Sequence, residues 1–401
     1  MNHARHITLP EGFKAAGVTC GIKASGNRDL AIIASDTDAS TAIVTTRNQI
    51  VGAPITWCRQ ILPRGCGKIR GMVINAGVSN VCTGKRGLDN ARTMAAETAR
   101  RTGTDPEKII VASTGVIGQP LPMSKIKRGI ASAANSLNRR ADSQVVEAIM
   151  TTDTQQKSAV VFTTIGGKKV TIAGIAKGSG MIAPSMATMI SVITTDAAIS
   201  PTALKKALTA AVATSFNAVT VDSDTSTSDI VAVLASGLAG NANITASSKH
   251  YRKFASALAE VCRELARAIA TDGEGATKLI EVTVLGAQSD RHAEIAAKSV
   301  ANSPLFKCAV HGCDPNWGRI AMALGKSDAK VVSEKLTIRI GPTRVFSRGT
   351  PTKFNAKSVS KHLAGDEVEV VCDLKLGKGR FTALTCDLSR DYITINADYH
   401  T

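Results

Sequence analysis

The chain has 401 residues, of which 44% are hydrophobic and 20% charged, with 49 Lys and Arg against 32 Asp and Glu for a formal net charge of +17. That is enough apolar sequence for two domains, or one large domain with an appended lobe; no apolar run is long enough to span a bilayer and the N-terminus MNHARHITLPEGF lacks the apolar centre of a secretory signal, so a cytoplasmic protein without a membrane partner is expected. Aromatic residues make up only 3% and the basic residues are scattered, which reads as a solvated surface able to steer anionic small substrates and excludes nucleic acid as partner.

Short β-rich runs at residues 18–22, 30–35 and 41–46, separated by polar turns, predict a small antiparallel set. A helix over 54–62 and a strand over 68–75 follow. Next come a polar loop closed by Gly84 and Gly87 and an amphipathic helix over 88–101. A buried strand over 109–112 runs into Ser113, Thr114 and Gly115. A threonine followed by an unhindered glycine suits presentation of a hydroxyl and a backbone N–H to a developing oxyanion, although the same pair also marks a simple strand-to-turn junction. Helices are expected over 124–139 and 142–150, then a polar cluster, Thr151 to Thr154, and a hairpin of strands 159–164 and 169–175 turned at Gly166 and Gly167.

The hairpin delivers the chain to AKGSGMIAPSMATMI, residues 176–190. Lys177 to Gly180 form a permissive polar turn, and Pro184 interrupts the apolar half. The peptide bond between Ala187 and Thr188 is sterically open on its acyl side. A β-hydroxyl beside an accessible carbonyl can attack it, shift the acyl group from nitrogen to oxygen and let water cleave the ester. Thr188 would then carry a free α-amine, of reference pKa roughly 7.7 to 8, able to act as general base for its own hydroxyl. The plainer reading is a β-branched core threonine, and the residues alone leave both open.

Beyond it lie a buried strand, MISVITTD, and a helix opened by Ser200 and Pro201. The hydroxylic and acidic segment DSDTSTSD, residues 222–229, lacks the glycine and terminal glutamate of a calcium loop and is expected to be a hydrogen-bonded loop near the site. A long helix over 249–270 follows, with Phe254, Leu258, Val261, Leu265 and Ile269 at helical spacing along one face. From residue 279 strands (279–285, 335–340, 367–374, 380–385) alternate with shorter helices, so the fold is expected to be mixed α/β, with a main domain over 1–277 and a C-terminal α+β lobe over 278–401. Trp317 reads as a packing anchor, and DYITINADYHT as the end of a strand. The nine cysteines include KCAVHGC, where Cys308 and Cys313 flank His311, but no second ligand pair accompanies them, so reduced thiols and no metal are expected.

Eight separated stretches together resemble the ornithine acetyltransferase family, also called glutamate N-acetyltransferase, of the arginine pathway. They are GIKASG (21–26), TRNQI (46–50), STGVIG (113–118), IMTTDT (149–154), AKGSGMIAPSMATM (176–189), GEGATKLIEV (273–282), DPNWGRI (314–320) and INADYHT (395–401). Their order and spread over the whole chain make the match specific. The resemblance implies the self-processing architecture shared with β-aminopeptidases, a cut between Ala187 and Thr188, and α and β fragments that stay assembled as a heterotetramer of two of each. It implies a ping-pong transfer of acetyl from N-acetylornithine to glutamate through Thr188, with Thr114 and Gly115 stabilising the oxyanion and Thr151, Lys177, Thr188, Glu274, Asn396 and Thr401 contacting substrate. The C-terminus would then have to fold back over the site. No cofactor is implied, and acetyl-CoA is possible as a co-substrate. The alternative within the same architecture is an N-terminal-threonine hydrolase of the β-aminopeptidase type. The chain departs from the family's usual residues at Ser223 (glycine), Ser228 (asparagine), the loop 75–84, and Leu384 and Thr385 (Trp-Gly), which bears on substrate preference and leaves the nucleophile intact.

Overall fold

The computed structural model describes residues 5–183 and 189–398. The chain begins with strands β1 (Phe13–Val18) and β2 (Leu30–Thr45), helix α1 (Ala53–Ile61), β3 (Cys66–Val78), α2 (Gly84–Thr102), β4 (Ile109–Val116), α3 (Met123–Asn135) and α4 (Asp142–Ile149). The hairpin β5 (Lys157–Ile165) and β6 (Lys168–Lys177) comes next, then β7 (Ile190–Thr195), α5 (Pro201–Ala213), β8 (Ile230–Ala235) and α6 (Tyr251–Thr271). Among the described residues these eight strands make one mixed sheet in the order β4-β3-β2-β8-β7-β6-β5, with β1 on β2.

Every residue of β7 and β8 is buried. They pair in parallel from Ile190 and Ile230, and their unbroken apolar runs, ISVITT and IVAVLA, are what a strand covered on both faces requires. One face packs on α1 to α4, the other on α5 and α6, whose Phe254, Leu258, Val261, Leu265 and Ile269 form the predicted stripe.

Two strand readings near the N-terminus change. The N-terminal strand is 13–18, not 18–22: the Asp29 carboxylate takes the N–H groups of Cys20 (2.7 Å), Ile22 (2.5 Å) and Lys23 (3.2 Å) and folds GIKASG into a loop. The polar stretch 36–40, expected as a turn between separate strands, lies inside a single β2 whose register against β3 shifts between Ala34 and Ala39. Its acidic residues find partners there, Asp36 with Lys14 and Asp38 with Lys108, so the strand continues through a bulge.

From residue 279 a second sheet forms, β12-β11-β10-β13-β9-β14, built from β9 (Leu279–Ala287), β10 (Thr337–Ile340), β11 (Thr343–Ser347), β12 (Thr350–Pro351), β13 (Glu367–Asp373) and β14 (Gly379–Cys386). Helices α7 (Asp290–Ala301), α8 (Pro304–His311), α9 (Trp317–Gly325) and α10 (Ala356–Leu363) accompany it around a core of its own. Trp317 packs on Phe346 with ring centroids 5.1 Å apart. Thr220 N–H bonds to the Leu384 carbonyl at 2.9 Å and Lys307 Nζ to that of Val221, so the lobe is joined to the loop that precedes β8.

The last segment is helix α11 (Arg390–Asp398), not the end of a strand. Ser389 caps it, its Oγ accepting from Asp391 N–H at 3.2 Å and donating to the Gly275 carbonyl at 2.6 Å. Phe254, fully buried in α6, gives a direct test of the core: Phe254→Ala is expected to cost about 3–5 kcal/mol in urea unfolding.

Candidate active site

The site is built on a buried charge cluster. Lys157, at the start of β5, donates to Asp153 at 2.6 Å and to Asp272 at 2.5 Å, with all three side chains at most 4% exposed. Asp153 also accepts the N–H groups of Gly178 (2.6 Å) and Thr151 (3.0 Å), and Lys177 Nζ stands 3.9 Å from it. Burial pushes the Asp153 carboxyl up, but Lys177, Lys157 and the Gly178 N–H outweigh it and hold it at about 2. Burial pulls Lys177 below its usual range, against the attraction of Asp153. Asp272, just past α6, takes the N–H of Thr154 at 3.1 Å and its hydroxyl. The 151–157 segment, the end of β6 and the end of α6 are thereby locked together.

Above this cluster a cavity of about 430 Å³ opens. Thr114, Gly115, Thr151, Lys177, Glu274 and Asn396, six of the positions singled out in the sequence, all line it. Ala187, Thr188 and Thr401 lie outside the described residues.

Thr114 and Gly115 reach the cavity on the last rungs of β4, in parallel register with Ala76 and Gly77 of β3. Gly115 has φ +120°, and a Cβ there would stand 2.3 Å from the Gly77 carbonyl carbon, so only glycine permits both the conformation and the approach. Buried Asn75 braces the rung before, accepting from Ser113 Oγ at 2.6 Å and donating to the Val78 carbonyl at 2.8 Å. Opposite, Glu274 is 8% exposed, its N–H bonded to the Ser179 carbonyl at 2.9 Å and its Oε2 accepting from Asn396 Nδ2 at 2.8 Å. Its carboxylate lies flat on Gly180, where a Cβ would meet Oε2 at 2.2 Å.

The 222–229 loop does line the cavity, through Asp222 and residues 224–228. Asp222 folds it, accepting from Met181 N–H at 2.6 Å and Ile182 N–H at 2.9 Å, while burial pushes its carboxyl up. Ser223, where the resembled family has glycine, has φ +71°, the left-handed conformation glycine adopts without penalty. Sequence reading missed Tyr392, whose phenol is pushed up by burial and by Asp222 and Glu274, as well as Lys157 and Asp272. The i, i+4 spacing of Asp153 and Lys157 was a visible signal; nothing local marks Asp272 or Tyr392. Among the described residues no group of three His, Cys, Asp or Glu side chains could hold a metal ion, and no helix is long and apolar enough to cross a membrane. The Lys177 ammonium, the Glu274 carboxylate held by Asn396 and a threonine-glycine pair in one cavity suit a zwitterionic amino-acid ligand beside a carbonyl whose oxygen gains charge.

The ArgJ family model matches residues 14–401. The arginine biosynthesis bifunctional protein ArgJ of Symbiobacterium thermophilum is 46% identical over 400 residues, covering 98% of either chain. That of Bacillus subtilis is 44% identical over 395 residues, covering 98% of this chain and 96% of its own. The crystal structure of the arginine biosynthesis bifunctional protein argJ from Bacillus halodurans, 44% identical with a TM-score of 0.50, covers 51% of this chain and 97% of that one.

The charge cluster makes a sharp prediction. Asp153→Ala leaves Lys157 and Lys177 short of a buried carboxylate and is expected to cost about 3–5 kcal/mol in chemical denaturation. In the wild type the stability from ionised Asp153, whose pKa is lowered on folding, is fully present above about pH 4. It is lost as pH falls through about 2.

Proposed function

The chain belongs to the ArgJ family, acetyltransferases of arginine biosynthesis, and on that premise we propose that it carries acetyl from N-acetylornithine to glutamate on the hydroxyl of Thr188. The observation that supports this best is the convergence of Thr114, Gly115, Thr151, Lys177, Glu274 and Asn396, from five separate segments of the chain, on one cavity.

The first reaction is the protein's own. The Thr188 hydroxyl adds to the Ala187 carbonyl, the C–N bond breaks as the acyl group passes to oxygen, and water hydrolyses the ester to free the Ala187 carboxylate and the Thr188 α-amine. That amine then takes the proton of its own hydroxyl as the oxygen adds to the acetyl carbonyl of N-acetylornithine. The oxyanion is held by the Thr114 hydroxyl and the Gly115 N–H, each such donor being worth about 3 kcal/mol of barrier. Ornithine leaves with the proton, and the glutamate α-amine attacks the acetyl ester by the reverse sequence. Lys177 pairs with the substrate α-carboxylate, and Glu274, oriented by Asn396, with a substrate amine. Thr151 and Thr401 complete the contacts, Thr401 three residues beyond the end of α11. Ser228 for asparagine enlarges the cavity wall and is where acceptor preference would differ.

The cut protein works as a heterotetramer of two α and two β fragments in the cytoplasm. Following the bifunctional designation of its relatives, it also accepts acetyl-CoA as donor. A solved relative whose chain covers only about half of this one is in keeping with division near the middle.

Intact-mass analysis of purified protein should show two fragments meeting at Ala187 and Thr188, and a single uncut chain for Thr188→Ala; an uncut wild type would refute the self-cleavage. Ornithine should be released from N-acetylornithine at a steady rate only when glutamate is present; equal release in its absence would make the enzyme a hydrolase. Gly180→Ala displaces the Glu274 carboxylate and is expected to lower kcat/KM for N-acetylornithine by roughly 100-fold.

A further inference from the structure

Asp229 is fully buried at the end of the 222–229 loop, one residue before β8. Its Oδ1 accepts the N–H of Met189 at 2.9 Å. The Met189 carbonyl in turn accepts from Ile230 N–H at 3.1 Å, so Met189 is gripped at both its polar backbone groups by two consecutive residues. The two grips differ in kind. The carbonyl is held by the strand ladder that continues through β7 and β8, whereas the N–H, which lies beyond the first rung of that ladder, is held by a side chain. Asp229 Oδ2 is buried and makes no hydrogen bond of ordinary geometry among the described residues, although the Ser226 and Thr46 side chains are close enough to favour its ionised form. Burial pushes the carboxyl well above the ordinary carboxylate range, opposed by the Met189 N–H and by Lys177.

Met189 is the residue that follows Thr188. By covalent geometry the Cα of residue 188 is about 2.4 Å from the nitrogen that Asp229 holds. That nitrogen is bonded to the threonine's own carbonyl carbon, so the hold that Asp229 exerts lies one covalent bond from residue 188.

We propose that Asp229 is a positioning residue for the threonine nucleophile, acting through its clamp on the amide that follows Thr188. The proposal rests on the functional reading above. Asp229 acts through a hydrogen bond and not through charge, so an amide, which keeps an acceptor oxygen, should replace it. None of Lys177, Glu274 and Asn396 is hydrogen-bonded to Asp229, and Lys177 feels it only through its field, so loss of Asp229 should bear on kcat far more than on substrate binding.

The test uses full-length wild type, Asp229→Ala and Asp229→Asn, each checked for fold by circular dichroism and for cleavage by intact mass, then assayed for acetyl transfer from N-acetylornithine to glutamate. Asp229→Ala should lower kcat by roughly 100-fold with KM for N-acetylornithine unchanged, and Asp229→Asn should recover kcat to within about tenfold of wild type. A merely structural Asp229 would lower the melting temperature of the alanine variant and leave kcat of the cut enzyme unchanged, which overturns the proposal. So does an asparagine variant as impaired as the alanine one, since charge would then be required. Should Asp229→Ala not fold, Asp229→Asn decides alone by the same tenfold criterion. An uncut, inactive wild type removes the functional reading and this proposal with it; a cut, active wild type beside an unimpaired Asp229→Ala removes this proposal alone.

Discussion

One buried carboxylate, Asp153, holds the site in shape. It joins Lys157, Lys177, the Gly178 N–H and the Thr151 N–H at a single point. Taking two lysines and two aspartates out of water is expensive, and an apolar cluster of equal volume could be as stable. What an apolar cluster could not do is fix direction. Hydrogen bonds specify where the 151–157 segment, the end of β6 and the end of α6 meet, and so aim Lys177 into the cavity instead of into solvent.

A second constraint is space. Gly115 lets β4 approach β3 closely enough to bring a backbone N–H to the cavity wall, and Gly180 lets the Glu274 carboxylate lie against the main chain. At both points a methyl group would stand where a polar group now does. The absence of side chains is thus as specific as their presence: these two glycines set where the Gly115 N–H and the Glu274 carboxylate can be.

How much of this was legible in the sequence depended on the range over which each signal acts. The continuous apolar run of β7, the cap and proline opening α5, and the stripe of α6 are local, and the structure agrees with them. The failures had distant causes. Residues 18–22 resemble a strand until Asp29 captures their N–H groups, and DYITINAD alternates like a strand until Ser389 caps it as a helix. The C-terminal fold-back came from the resemblance, as did the roles given to Glu274 and Asn396, which lie 122 positions apart and bond through the side chains. Asp272 and Tyr392 gave no signal because their partners are supplied by tertiary packing alone. The match at 46% identity over 400 residues settles the family; the cavity adds the reason those scattered motifs belong together.

The pairing of the central strands bears on what a break in the chain between residues 187 and 188 would leave. β2 and β6 lie before that point and β7 and β8 after it, and the sheet order places β7 and β8 side by side between β6 and β2. The second piece would be a tenon in a mortise, held by a hydrogen-bonded ladder along each side. Drawing it out along the strands would load both seams in shear, with every rung resisting at once. Severing one covalent bond would therefore free an amine without loosening the joint, and the molecule could spend a peptide bond on chemistry while its architecture carried the load.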